Sequence, residues 1–447
     1  MNLNNILKRV DMNQMPKRFP TKSADRALAG MLGPVTCVIQ LEMGFDYKLD
    51  EKRLKRAVSL LTEKVPLLGC CFVPKLFRPY FKRLEIEEFK LFHMTSDKTE
   101  FEDFKNERMD FFNGPQIETC LYRFDSKDRF LIKVSHLVCD AAGVKEIASE
   151  LSKIFNRLKD DPNFKPEPDI EDYRGFWQIV RQVPWYAIPR IIYNYMCEIY
   201  RAKFPGHSHV VPIQKVFGDK IQLFTKHINE TQFACLNTYA KEKHTTINDV
   251  LVTAIIRALS KTGTLKPGKA LRLGMAIDLR RYLPEKKARS IANFSSLELF
   301  NYGKNVEKDF ESTLIRVAQK TNKRKSSWLG LSAFVSTYPM LWSLPFFVLK
   351  VAGSKGWEMK SSSPNSFDWL TNMGVIQKER VNFDGEPSTA WLLVPGCVLP
   401  MLFFGCSGYN ETLTLSWSIG PDDMNERVTQ SFFDLVVSEL PLSGENE

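Results

Sequence analysis

A histidine and an aspartate, His136 and Asp140, stand four residues apart in KVSHLVCDAAGVKEI (133–147), where a strand-like pattern gives way to a helix-like one. Imidazole is the side chain best suited to accepting a proton near neutral pH, so His136 is a candidate general base. Strand alternation puts it on one face with Val134 and Ile132, with Lys133 and Ser135 on the other, so the ring points inward at a strand end. An inward histidine is also an ordinary core residue, and spacing alone does not separate the two readings. The same spacing recurs at His93 and Asp97 (HMTSD), where the residues that follow form an ordinary polar turn. Asp140 is instead followed by Ala141-Ala142-Gly143, small residues that let a substrate or another surface approach the backbone. The flanks favour His136. Cys139, three residues on, reads as structural.

The elements that must hold these residues alternate. Val35 to Met43 is a β-rich run, and 50–61 (DEKRLKRAVSLL) is an amphipathic helix with an acidic cap, stopped by Pro66. Residues 116–124 and 130–136 read as a strand pair joined by a polar loop at 125–128, and Gly143 to Leu158 carries helical spacing. From about 160 to 215 the pattern loosens into a proline-rich, acidic stretch and an aromatic segment, a plausible crossover. Strands are then expected at 222–227, 271–279, 294–300, 367–376, 391–398, 401–406 and 413–419. Helices are expected at 230–242, after a cap at Thr245 or Thr246, and at 424–440. No internal repeat stands out.

At 447 residues, 44% hydrophobic and 26% charged, the chain is too long for one ordinary core, and two halves are expected. Nine scattered cysteines without metal-ligand spacing imply no metal site and fit a reducing, cytoplasmic setting. A formal charge of +10 suits an anionic ligand or lipid. The basic residues form no tail or recognition helix, so nucleic acid is not an expected partner. No secretory signal or membrane-spanning segment is expected. Two aromatic and basic stretches, Trp185 to Phe204 and Tyr338 to Gly353, have two readings. The favoured one makes them core helices lining a large apolar channel; the other is peripheral contact with a membrane.

HLVCDAAG (136–143) resembles the HxxxDG signature of the chloramphenicol acetyltransferase-like, CoA-dependent acyltransferases, whose relatives include alcohol acetyltransferases, polyketide-associated acyltransferases and condensation domains. FDYKLDEKRLKRAVSLLTEKVPLL (45–68) looks like the helix and Pro-Leu-Leu turn that open many condensation-type sequences. PQIETCLYRFDSKDRFLIKVSH, TTINDVLVTAIIRAL (245–259), AIDLRRYLP…NF (276–294), TNMG (371–374) and SGYNETLTLSWS (407–418) follow in the expected order. Two departures stand out. Ala141 replaces the glycine after the aspartate, and Ser135 replaces the first histidine of the condensation-domain doublet, which argues against a standard peptide-synthetase domain. The DFGWG motif of the plant branch is absent.

The resemblance implies an α/β fold of two similar mixed-sheet subdomains with an active-site tunnel between them: 1–175 carrying HxxxD, a 176–215 crossover, and 216–447. It implies that His136 takes a proton from an alcohol or amine acceptor attacking a thioester, with acyl-CoA or acyl-phosphopantetheine as co-substrate, none bound permanently, and an acyl carrier protein as a candidate partner. Asp140, in the catalytic motif, is expected to form a structural salt bridge with Arg280 or Arg281 and not a charge relay. Oxyanion or tunnel donors are sought among Asn372, Ser407, Tyr409 and Asn410. The donor's phosphates call for cations: Lys320, Lys323, Arg324 and Lys325 form the densest patch, followed by Lys286, Lys287 and Arg289. The leading activity is therefore acyl transfer. The alternative is a non-catalytic binding or docking module of the same fold, located in the cytoplasm or peripheral to a membrane.

Overall fold

The computed structural model describes residues 15–442 apart from 31–35, 86–88, 171–172, 203–205, 207, 209–220, 264–268, 333–342, 362–364, 366–367, 397–401 and 420–422. Its strands in chain order are β1 (Arg18–Pro20), β2 (Val38–Phe45), β3 (Cys70–Val73), β4 (Tyr80–Arg83), β5 (Phe92–Thr95), β6 (Ile117–Phe124), β7 (Lys127–Ser135), β8 (Gln222–Ile228), β9 (Leu271–Asp278), β10 (Ser295–Gly303), β11 (Asp368–Val375), β12 (Thr389–Leu393), β13 (Phe403–Tyr409) and β14 (Thr412–Ile419).

The first half is built on a five-stranded sheet in the order β12-β2-β7-β6-β5. β2 and β7 lie at its centre with both faces covered, which is why even Glu42 and Lys133 are buried. Each has a partner: Glu42 pairs with Lys105 at 3.1 Å, and the Lys133 ammonium donates to the carbonyls of Phe104 and Glu107. The β6–β7 hairpin is tighter than expected, with Phe124 paired to Lys127 across Asp125 and Ser126. Asp128 is therefore in the strand, buried, and held by Arg123 at 2.9 Å. Asp50 caps the helix Glu51–Lys64, which packs against the helix Ala141–Asp160; Leu54, Val58, Ile147 and Leu151 enter the first core.

The second half carries a six-stranded sheet, β10-β9-β11-β13-β14-β8, in which β11 runs parallel to both neighbours. Behind it the helix Ile247–Lys261 is buried along most of its length, opened by a capping box between Thr246 and Asp249. It packs between the helices Phe310–Lys325, Asp423–Ser438 and Glu230–Glu242.

Parts of the 216–447 stretch belong to the first half's sheet and core. β12, from the second, pairs antiparallel with β2, and Phe346, Ile376, Phe383 and Leu392 join the first core. A fully buried apolar side chain contributes about 1.5–3 kcal/mol, so this excursion is a structural part of the first half. The reason is local. β2 would otherwise be an edge strand, and TAWLL covers it.

The aromatic segments also differ from the core-helix reading. In the helix Ile188–Ala202 and the turn before it, Ile191 and Ala187 are buried, but Trp185, Tyr186, Ile192, Tyr193 and Met196 are exposed. In the helix Phe346–Ser361, Phe346 is buried while Phe347 and Val351 are exposed; Trp342 lies outside the described residues. No helix among the described residues is long and apolar enough to cross a membrane.

Candidate active site

β7 ends at Ser135, and the chain turns at 135–138 before the helix Ala141–Asp160 begins. Val138 N donates to Ser135 O at 3.0 Å, and Leu137 N to Ser135 Oγ at 3.2 Å. The serine that replaces a histidine thus stabilises the turn. His136 lies in that turn, half-buried, its backbone N donating to Cys37 O.

The imidazole is held through one nitrogen. Nδ1 lies 2.8 Å from Cys139 O and 3.0 Å from Asn293 Oδ1. Asn293 Nδ2 donates to His136 O at 2.8 Å, which fixes the amide with its oxygen toward the ring. Both partners of Nδ1 are acceptors, so in the neutral ring Nδ1 carries the proton and Nε2 the lone pair. That is the tautomer a general base requires at Nε2.

Asp140 is the N-cap of the following helix, accepting from Gly143 N at 3.0 Å through Oδ1. Its Oδ2 accepts from Arg280 Nη1 at 2.8 Å, Phe294 N at 2.8 Å and Ser295 Oγ at 3.3 Å. Burial acts to raise its pKa, but the Arg280 guanidinium and these hydrogen bonds outweigh it and hold the carboxyl below its ordinary value. Burial opposes the charge of Arg280 too, and Asp140 and Asp278 outweigh it, so the guanidinium stays charged. Of the expected pair, Arg280 makes the bridge; Arg281 is exposed and stacks near Tyr282. Asp140 is bonded away from the imidazole and does not relay charge.

Ala141, where the family signature has glycine, is the first residue of the helix with no left-handed backbone. The close approach comes at Gly143, where a Cβ would lie 2.4 Å from Cys139 Cβ and 3.1 Å from its Sγ. Cys139 is buried and its thiol is pushed up by that burial, consistent with packing and not reactivity. The competing pair, His93 and Asp97, repeats the arrangement of strand end and helix cap, Asp97 accepting from Thr99 N. His93 packs on Phe104 at 4.9 Å, and among the described residues no arginine pairs with Asp97 as Arg280 pairs with Asp140.

Arg174, unremarked in the proline-rich stretch, ties the assembly together. It grips Asp25 through both Nη atoms at 3.0 and 3.1 Å and donates to Val138 O at 3.0 Å and Ile291 O at 3.3 Å. It thereby fastens the His136 turn to the segment that carries Asn293. Asn293 itself falls in the quoted NF dipeptide, but nothing in the spacing assigned it a contact.

The remaining candidates separate. Asn372, exposed on β11, accepts from Gly374 N through Oδ1 and keeps its Nδ2 as a donor. Ser407 and Tyr409 are both engaged in packing the strands: Ser407 Oγ accepts from Leu392 N at 3.0 Å, and the Tyr409 hydroxyl donates to Pro387 O at 2.5 Å. Both lash the segment around β12 to β13. Asn410 has φ of 41° in the β13–β14 turn, a position that asparagine tolerates. The densest basic patch is also partly committed. Arg324 pairs with Glu298 and Glu198, because Glu298 is buried and needs a cation; the Lys320 ammonium donates to Asn301 O; Lys323 is exposed.

Two clefts adjoin this assembly. The larger, about 460 Å³, runs between the halves, with Lys64, Ala142 and Lys145 on one wall and Arg280, Lys286, Lys287 and Arg289 on the other. The cluster Lys286, Lys287 and Arg289 therefore lines the larger of these two clefts. Lys145 closes one end, donating to Met373 O at 2.7 Å. The smaller cleft, about 390 Å³, has Asn372, Arg281 and Lys325 on its walls and shares Asp278 and Lys286 with the first. His136 is half-buried and is not among the residues lining either cleft; the link to the larger one runs through Arg280, which lines it and pairs with Asp140.

No protein-family model and no curated protein matches this chain. Solved structures do. The chain superposes on a trichothecene 15-O-acetyltransferase from Fusarium sporotrichioides with TM-score 0.69 and 11% identity, covering 97% of each chain. It matches the first condensation domain of the calcium-dependent antibiotic synthetase with TM-score 0.66 and 12% identity, over 95% of this chain and 97% of that one. It also matches polyketide synthase associated protein 5 from Mycobacterium tuberculosis, with TM-score 0.61 and 12% identity over 94% and 97%. The chain has the chloramphenicol acetyltransferase-like fold. In this chloramphenicol acetyltransferase-like chain, the cross-half contacts at His136 and Asp140 lie where its two α/β halves meet.

Proposed function

We propose that the protein is an acyltransferase that moves an acyl group from CoA, or from a carrier-protein phosphopantetheine, to a hydroxyl or amine. The observation that carries this reading is the anchoring of His136 Nδ1 by two acceptors from opposite halves, which in the neutral ring places the lone pair on Nε2. Nε2 takes the acceptor's proton as its oxygen or nitrogen attacks the thioester carbonyl. The tetrahedral intermediate then expels the thiolate, which receives the proton from Nε2, so no covalent enzyme intermediate is needed. A positioned base supplies about 10²–10⁴-fold in rate, and holding both substrates together supplies much of the rest.

Asn372 Nδ2 is the proposed donor to the oxyanion. Lys286, Lys287 and Arg289 at the larger cleft are the proposed contacts for the donor's phosphates. Their neighbours Lys153 and Arg380 are already paired with Glu150 and Glu146. The structural neighbours include an O-acetyltransferase and a condensation domain, which supports the class of reaction. We place the reaction in the cytoplasm, in keeping with eight described cysteines that no disulfide joins.

The test is thiol release from a panel of acyl-CoAs and an acyl carrier protein, with alcohol and amine acceptors. Release that requires both donor and acceptor supports the reading. Tight donor binding without release under any pairing would reduce the protein to a binding module.

A further inference from the structure

The segment 177–200 is amphipathic in the reverse of the usual sense. In the helix Ile188–Ala202, Arg190, Asn194 and Glu198 recur every four residues along one stripe, and that stripe faces the protein. Arg190 Nε donates to Ser327 Oγ at 3.0 Å, and Asn194 Nδ2 to Ser327 O at 2.7 Å. Glu198 accepts from Arg324 at 2.9 Å and Ser332 at 2.6 Å. The opposite stripe carries Ile188, Ile192, Tyr193, Met196 and Ile199, and Trp185 precedes it with 82% of its surface exposed. An amphipathic helix in water normally turns its apolar stripe to the core. Here Asn194 is buried and hydrogen-bonded beside Ile191, Glu198 is half-buried and paired, and a broad apolar face is left outside, an arrangement that matches an apolar medium there.

We propose that this face docks on the surface of a lipid bilayer carrying anionic headgroups. Three features select that occupant. Trp185, Tyr186 and Tyr193 have amphipathic rings of the kind that settle at the headgroup boundary, and the aliphatic side chains beside them suit the outer acyl region. The charges displayed are of one sign: in 177–200 Arg181 is exposed, Arg190 is exposed at the edge of the inner stripe with only its Nε bonded to Ser327, and Glu198 is turned to Arg324. The chain's formal charge of +10 adds long-range attraction to the same surface. The helix lies flat on the surface and does not cross it.

The experiment is co-sedimentation of the full chain with phosphatidylcholine vesicles, with and without phosphatidylserine. The wild type is expected to sediment with the phosphatidylserine vesicles. Trp185→Ser, Ile192→Ser and Met196→Ser combined should weaken binding about tenfold or more, since each removes apolar area from the contact. Arg181→Gln with Arg190→Gln should remove the preference for phosphatidylserine. These positions are exposed, so unchanged melting confirms that the variants fold. His136→Ala should sediment like the wild type, which separates this proposal from the acyl-transfer reading. Wild type that stays in solution with both vesicle types, a triple variant that binds undiminished, or a dimer that the triple variant abolishes would each overturn it.

Discussion

His136 Nδ1 lies 3.0 Å from Asn293 Oδ1, a residue 157 positions later in the chain and in the other half of the molecule. The orientation of the proposed base is therefore set by how the two halves meet, and not by the HxxxD turn alone.

Asn293 is accordingly a positioning residue. Asn293→Ala is expected to lower kcat for thiol release about 10- to 100-fold, because small errors in placing a catalytic group are costly. KM for the donor should change little. Asn293→Asp, which keeps an acceptor for Nδ1, should recover part of the loss. Steady-state kinetics with an acyl-CoA check this; an unchanged kcat in the alanine variant contradicts it.

The Asp140–Arg280 pair should behave as a buried structural bridge. Removing either partner leaves an uncompensated buried charge, so Arg280→Ala is expected to cost about 3–5 kcal/mol in urea unfolding. The sign of the pH effect follows from the depressed pKa. Asp140 is held below its ordinary value of 3.8, so its contribution is complete above that value and is lost as pH falls through the folded-state pKa. Wild-type stability should therefore fall with acidification in that window, and Asp140→Asn, already destabilised, should show a shallower fall.

His136 and Asp140 were legible because a strand pattern passed into a helix pattern across them, which required a turn and a cap. The choice between Arg280 and Arg281 was not. Both lie in one short 3-10 turn, and spacing does not say which guanidinium turns inward. Asn293 and Arg174 were invisible for a related reason: each acts across the interface, and a single sequence carries no record of which loops meet. Strand composition marked 391–398, which overlaps β12 only at its last three residues, and nothing local says that this strand crosses to β2. The helix Ile188–Ala202 was misread because its periodicity reveals two faces without saying which is inside.

The reassignment of Tyr409 and Ser407 is testable apart from chemistry. Tyr409→Phe leaves Pro387 O without its hydroxyl donor and should cost about 1–3 kcal/mol of stability. If both residues only secure the segment around β12, kcat stays within about twofold of wild type, far from the ~10²-fold loss that removal of an oxyanion donor brings. A large loss of kcat in the folded variants would return them to the active site.

The two basic clusters should separate by KM. Lys286→Ala, Lys287→Ala and Arg289→Ala together are expected to raise KM for acyl-CoA about tenfold, an effect that shrinks with added salt because exposed charges are screened. Lys323→Ala, at an exposed helix end, should leave KM unaltered. The reverse outcome would move the phosphate contacts to the helix Phe310–Lys325.

The most direct measurement is single-site removal of the base. His136→Ala, with melting and far-ultraviolet spectra matching wild type, should lose about 10²–10⁴-fold in acceptor-dependent thiol release while still binding the acyl donor. A folded His136→Ala protein that turns over at the wild-type rate would contradict the account.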